Sequence, residues 1–503
     1  MKIRFFVLPA LAIAPALFPQ KLEEFEKRVT EFTLANGLHF ILLERHQAPV
    51  IAFHTYVNAG SVDDPKGRTG LAHMFEHMAF KGTSRIGTSN FAAESKALDA
   101  VEKAYDQLEA ERNKGSRADP ARIEDLEEQL KDAIETANSF VEPNAYPRII
   151  EENGGVGLNA GTGVDSTTYY YSLPANRMEL WFLLESERFL RPVYREFYKE
   201  RDVVREERRM RTESSPQGKL IEALYTTAFA AHPYHNPPVG WASDIESLRV
   251  ADASDFYRRY YSPANITIAI AGDVDPVLAR RLAEKYFGRL PKGAAPAPIA
   301  TREPPPGGER RAKVESPSQP LLVIAYRRPY QNAADDPVFD VIGSVLSSGR
   351  TGLLYKELVR DRKLALAASA YPSFPGGKYD NVFLFFVAPA LGRSVEENEK
   401  VCYEIMERLK KEPVDDATLA RVKTKLRAAL IRQLDDNEGL AGQLAFYHVN
   451  YGDWRMLFRG LAEIDKVTAA DVQRVVREYF VERARTVVHT VASSAGEEKG
   501  VEQ

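Results

Sequence analysis

LAHMFEHMAF, residues 71–80, sets two histidines and a glutamate within five positions of a chain that has only nine histidines among 503 residues. In a helix His73 and His77 stand four apart on one face, close enough to bind a single ion, and Glu76 lies one position from His77. The order H-x-x-E-H inverts the commoner H-E-x-x-H, and both are patterns of metal-dependent hydrolases. The residue types fit that chemistry. Neutral imidazoles suit Zn²⁺, and a nearby carboxylate that does not bind the metal can take a proton from water. Two ligands do not complete a zinc site, so a third must come from another part of the chain.

Composition restricts where it can come from. Cys402 in VCYEIM is the only cysteine; it excludes an internal disulfide and reads as a small core residue, so zinc must use histidine and carboxylate. A net charge of −4 with mixed signs gives no basic stretch for nucleic acid. With 44% apolar and 27% charged residues the chain is an ordinary globular protein of two or three domains. At the amino end, MKIRFFVLPALAIAPALFPQ (1–20) has Lys2 and Arg4 before an apolar run, with Ala14 and Ala16 near its close. That reads as a secretory signal, too short for a confident span, and places the protein in a periplasm or outside the cell. No other segment approaches membrane length.

FTLANGLHFILLERHQAPVIAFHTYVNAGS (32–61) reads as short strands with an Asn36-Gly37 turn. After the histidine helix, Leu98, Val101, Tyr105 and Leu108, then Ile123, Leu126, Leu130 and Ala133, recur at three-four spacing on either side of NKGSRADP. The pattern predicts an antiparallel helical hairpin over 98–137 with one apolar seam. IIEENGGVGLNAGTGVDSTTYYYSLP (149–174) predicts a turn and two strands. REFYKERDVVREERRMRTESSP (195–216) predicts a helix ending before Pro216, on which Glu200 and Glu207 share a face and Glu206 points elsewhere. Spacing alone does not separate a third ligand there from a solvated charged helix.

HMFEH (73–77), GGVGLNAGTGVDSTTYY (154–170), ERDVVREE (200–207) and HPYHNPPVGWASDI (232–245), in that order, resemble the pitrilysin and insulinase (M16) family of zinc peptidases, which includes the mitochondrial processing peptidases. The likeness runs from about Phe32 to Val491 and is weaker in the second half. It implies that one zinc per chain is bound by His73, His77 and Glu207, that Glu76 is the general base, and that Glu200 orients a ligand histidine or the water. It also implies that the Gly-rich strand is a sheet edge that takes peptide substrate as an added strand, with Asn159 and Ala160 in contact with it; read without the likeness, Asn159 would be a turn cap.

The implied fold is α+β: two similar αβ domains, each an antiparallel sheet with helices on one face, enclosing a chamber. The zinc half is 26–290, GRLPKGAAPAPIATREPPPGG supplies a linker over 291–308, the lid half is 309–495, and 496–503 is a tail. His77 and Glu207 stand 130 residues apart, more than the family pattern, and the 98–137 hairpin accounts for the excess as an insertion.

One departure concerns the second half. In LVRDRKLALAAS (358–369) Arg360 matches a substrate-holding arginine of the family, but seven positions on stands Ala367 where a tyrosine supports the oxyanion. Either a homologous partner subunit supplies the missing donors in a heterodimer, or Tyr371 or Tyr379 substitutes in a homodimer or monomer. The expected activity is a zinc metalloendopeptidase acting on peptides or unfolded chains. The alternatives are a non-catalytic structural subunit and a peptide-binding module that cuts only with a partner.

Overall fold

The computed structural model describes residues 23–492. The signal segment (1–20) and the tail (496–503) lie outside them. The first sheet contains β1 (Val29–Thr33), β2 (His39–Glu44), β3 (Val50–Val57), β4 (Val156–Thr162), β5 (Thr167–Pro174) and β6 (Ile266–Gly272). Its spatial order is β1-β2-β6-β3-β5-β4. The second sheet contains β7 (Arg310–Ser316), β8 (Leu322–Arg328), β9 (Ala365–Phe374), β10 (Asn381–Pro389) and β11 (Arg485–Ala492), ordered β7-β11-β8-β10-β9. With β1 set aside, both orders follow one scheme, in which the last strand inserts between the first two and the third forms an edge. The two halves are repeats of one topology.

The sheets are mixed rather than antiparallel as expected, because β2–β6 and β7–β11 run parallel. The insertion of β6 is the cause. Strands β2 and β3 are neighbours in sequence, yet ITIAIAG, buried along its whole length, lies between them.

The longer helices of the first half are α1 (Leu71–Met78), α2 (Phe91–Arg112), α3 (Pro120–Asn138), α4 (Ala145–Glu152), α5 (Met178–Leu190), α6 (Phe197–Arg208), α7 (Pro216–Ala228), α8 (Val250–Tyr260) and α9 (Pro276–Tyr286). Helices α2 and α3 are the hairpin, which runs from 91 to 138 because Asn90 caps its first turn by accepting from Ala93 N–H, about two turns before the expected start. The second half adds α10 (Asp336–Leu346), α11 (Val395–Lys411), α12 (Asp416–Gln433), α13 (Asn437–Tyr451), α14 (Met456–Lys466) and α15 (Ala469–Tyr479). None of the helices among the described residues is long and apolar enough to cross a membrane.

Helices do not cover one face only. Each half lends a helix to the second face of the other's sheet. From α13, Leu440, Ala441 and Leu444 pack with Ile41, Leu43, Tyr56, Ala269 and Ala271 of the first sheet. From α7, Leu220 and Leu224 pack with Val323, Ala325, Leu384 and Val488 of the second. A sheet buried on both faces explains why these strands read as continuous apolar runs. A cleft of about 650 Å³ beside the first sheet is lined by residues of the first half. Segment 291–308 has no regular element, but Glu303 anchors it by accepting hydrogen bonds from the backbone N–H groups of Ala230, Ala231 and His232.

Candidate metal centre

Helix α1 is only two turns long and is fixed at both ends. Gly70, at φ +86°, begins it, and a Cβ there would lie 2.6 Å from the Val239 carbonyl. The Asp64 carboxylate caps the helix by accepting from Gly70 N–H (2.7 Å) and Ala72 N–H (2.8 Å). Leu71, Met74, Phe75 and Met78 are buried beneath it, and this turns His73, Glu76 and His77 toward the cleft. Beyond its end, buried Arg195 donates to the carbonyls of Lys81, Thr83 and Ile86 and to the Glu94 carboxylate at 2.7 and 3.0 Å. Arg195 is 1% exposed and sits two residues before α6, so one satisfied buried ion pair sets α1, α2 and α6 relative to each other.

Helix α6 carries Glu200 and Glu207 on the face toward α1. His73 Nε2 lies 3.6 Å from Glu207 Oε2, and His77 Nε2 lies 3.8 Å from Glu207 Oε1. One ligand atom from each of the three residues lies within 4.8 Å of the others. The imidazole rings are nearly perpendicular, with centroids 4.9 Å apart. His77 Nδ1 is 3.3 Å from Glu200 Oε2, which leaves Nε2 facing the cleft. Glu200 also pairs with Lys81 at 2.5 Å, and Lys81 with Glu196 at 3.0 Å. Glu207 Oε2 is buried without a hydrogen-bond donor, although Arg211 stands 3.2 Å away. An acceptor oxygen orphaned beside two imidazoles is what a cation ligand lacks when its cation is not counted, so the donor set fits zinc.

Electrostatics separate the two imidazoles. Burial, then the neighbouring His77 and Arg211, pushes His73 down to about 3, so its imidazole is neutral and ready to ligate. Burial would lower His77 too, but its bond to Glu200 and the carboxylates of Glu207 and Glu76 outweigh it and raise the pKa. Burial would raise Glu200, yet hydrogen bonds from His77 and Lys81 hold it below the usual carboxylate value. Glu76 is raised by burial, opposed by the Thr162 hydroxyl, which donates to its Oε2 at 2.6 Å.

Glu206, the alternative on α6, is exposed and pairs with Arg209. Asn159 and Ala160 lie on β4, the edge of the first sheet, beside His73, His77 and Glu207 in the cleft lining. Asn159 Oδ1 accepts from Ala160 N–H at 2.9 Å. Arg360 is elsewhere: it is exposed, pairs with its neighbour Asp361 at 2.6 Å, and does not line the cleft. Ala367 and Tyr371 are on the β9 edge of the other sheet. The Tyr379 hydroxyl accepts from Ile299 N–H at 3.1 Å, at the junction of the halves. Neither tyrosine lines the cleft. Buried Cys402 is a core residue, as read.

Three neighbours of the candidate site have no place in the sequence reading: Lys81, Arg211 and Thr162. Lys81 and Arg211 stand four positions after His77 and Glu207, and that spacing alone marks them as facing the same way. Thr162 had no local signal, because only the sheet brings it to Glu76.

A family model described as Insulinase (Peptidase family M16) matches residues 40–110, and one described as Peptidase M16 inactive domain matches 247–426. The chain is 27% identical over 468 residues to zinc protease PqqE of Helicobacter pylori, with 91% of each covered. It is 21% identical to a probable mitochondrial-processing peptidase subunit beta of Arabidopsis thaliana, covering 91% of this chain and 77% of that one. The crystal structure of a protease from Helicobacter pylori superposes with a TM-score of 0.77 at 26% identity, covering 92% of this chain and 99% of that one. With two family models matched in the expected order, relatives aligned over nearly their full length and the same two-sheet architecture, this chain belongs to the M16 peptidase family.

Proposed function

We propose that the protein is a zinc metalloendopeptidase that hydrolyses peptides or unfolded segments laid against β4. The observation that carries this reading is the convergence of His73, His77 and Glu207 beside a hydrogen-bonded but non-ligating Glu76, at the foot of an exposed sheet edge. Zinc held by the three residues would supply a Lewis acid that makes water more acidic and polarises a peptide carbonyl. Glu200 holds His77 through Nδ1 and so keeps Nε2 directed inward. Thr162 fixes Glu76 through Oε2, which leaves Oε1 to accept the proton of the attacking water and pass it to the leaving amine. Exposed backbone at Asn159 and Gly161 offers main-chain pairing to any extended peptide.

The oxyanion donors come from a partner. Arg360 does not line the cleft and the Ala367 side chain has no donor, so a homologous subunit carrying arginine and tyrosine at those positions completes the site. The plant relative named as a subunit fits this reading. A non-catalytic role is the second reading; it is favoured by the same Ala367 and opposed by the intact donor set. Export to the periplasm or exterior follows from the amino-terminal sequence. The test is cleavage of an internally quenched, unstructured peptide by the zinc-loaded chain, alone and mixed with such a homologue. Activity in either arm that disappears in His77→Ala together with the cleft zinc supports the proposal. Zinc retained at the cleft in His77→Ala would overturn the ligand set.

A further inference from the structure

A second trio of metal-binding types lies far from the cleft in the chain. We propose that Glu31, His39 and His448 form a further zinc site that ties the first sheet to the second half. Glu31 and Thr33 are alternate residues of β1 and share a face, and Thr33 pairs with His39 across the β1–β2 ladder. His448 comes from the last turn of α13, the helix lent by the second half. One ligand atom from each residue lies within 4.8 Å of the others, and the only other such group among the described residues is the cleft trio.

The details repeat those of the cleft. Thr33 Oγ1 lies 2.9 Å from His39 Nδ1, as Glu200 lies beside His77 Nδ1, and so fixes the ring with Nε2 free. Nε2 is buried with no hydrogen-bond partner, and Glu31 Oε2 is 3.7 Å from it. Tetrahedral zinc, with bonds near 2.0–2.2 Å, holds its ligand atoms about 3.4 Å apart, so a small closure suffices. The other oxygen of Glu31 is 3.2 Å from Arg455, as Glu207 is from Arg211. Burial keeps both imidazoles in the neutral form that binds metal, with His39 pushed down to about 4. An unpartnered buried nitrogen facing a carboxylate otherwise carries an unrepaid desolvation cost.

The rings of His39 and His448 are stacked at 4.0 Å and 4°. Parallel rings send their lone pairs side by side, so capture of an ion requires them to splay. His448 stands in the last turn of α13, so an ion held there would link that helix to the β1–β2 hairpin.

The site is independent of the cleft and is tested without it. In the His73→Ala/His77→Ala background, Zn²⁺ uptake by equilibrium dialysis should remain close to one equivalent per chain, and zinc should raise the melting temperature. Adding His448→Phe preserves an aromatic stack and hence the fold, and should abolish both the uptake and the thermal shift. Co²⁺ should give the visible bands of a tetrahedral nitrogen-oxygen site in the background and not in the triple variant. No uptake in the background, or uptake that persists with His448→Phe, would overturn the proposal.

Discussion

Glu200→Gln isolates the contribution of a residue that touches no metal. The amide fits the same space and can still accept from His77 Nδ1 at 3.3 Å, so ring orientation survives while one negative charge is lost. Lys81 loses its 2.5 Å partner but keeps Glu196 at 3.0 Å, so an under-neutralised ammonium is left beside a cation site. Loss of such an outer partner costs about 10–100-fold in metal affinity. The added repulsion from Lys81 places the expected loss at the upper end, roughly 30–100-fold or about 2–2.7 kcal/mol. Competition with a chromophoric chelator near neutral pH measures it, with His448→Phe present in both proteins so that only the cleft is read. Glu206→Gln is the control, since Glu206 faces Arg209 on the outside of α6. A dissociation constant within a factor of about two of the parent, or an equal loss in Glu206→Gln, would refute the assigned face of α6.

Arg195→Met should destabilise the fold by about 3–5 kcal/mol, because Glu94, 0% exposed, would be left charged and unpaired; chemical denaturation reads it. Leu444→Ala opens a cavity in the α13 seam and should cost about 2–5 kcal/mol while leaving cleft zinc affinity unchanged. Asp63 is raised to about 6 from an ordinary 3.8, by burial first. The folded state therefore holds its proton longer than the unfolded chain, so this group's stabilisation is complete below about 4 and is lost as pH rises through about 6. Asp63→Asn should flatten that part of the stability profile, and an unchanged slope between those pH values would refute it.

The metal helix was legible because four-residue spacing is a local property of α-helices, and His73, Glu76 and His77 are neighbours in sequence. Glu207 was harder: spacing put it on a face with Glu200, but only the resemblance chose it, since a charged helix in isolation does not say which face meets α1. The edge position of β4 likewise came from the resemblance. What could not be read was long-range. Nothing in ITIAIAG marks it as the strand that separates β2 from β3, and nothing in the apolar stripes of α7 and α13 says that each covers the other half's sheet. Amphipathicity declares that a face is buried without naming what buries it. A matched position in sequence likewise carries no orientation: Arg360 stands at the surface, paired with its neighbour Asp361.

The most direct test of the account is peptide cleavage by Glu76→Gln beside the parent protein, both zinc-loaded and each assayed alone and with the homologous partner. The amide occupies the same space under Thr162 but cannot take a proton, so the cleft zinc content should be unchanged and the rate should fall by about 10²–10⁴-fold. Equal cleavage by the two proteins, or none by the parent in either arm, would contradict the claim that this cleft hydrolyses peptides through Glu76.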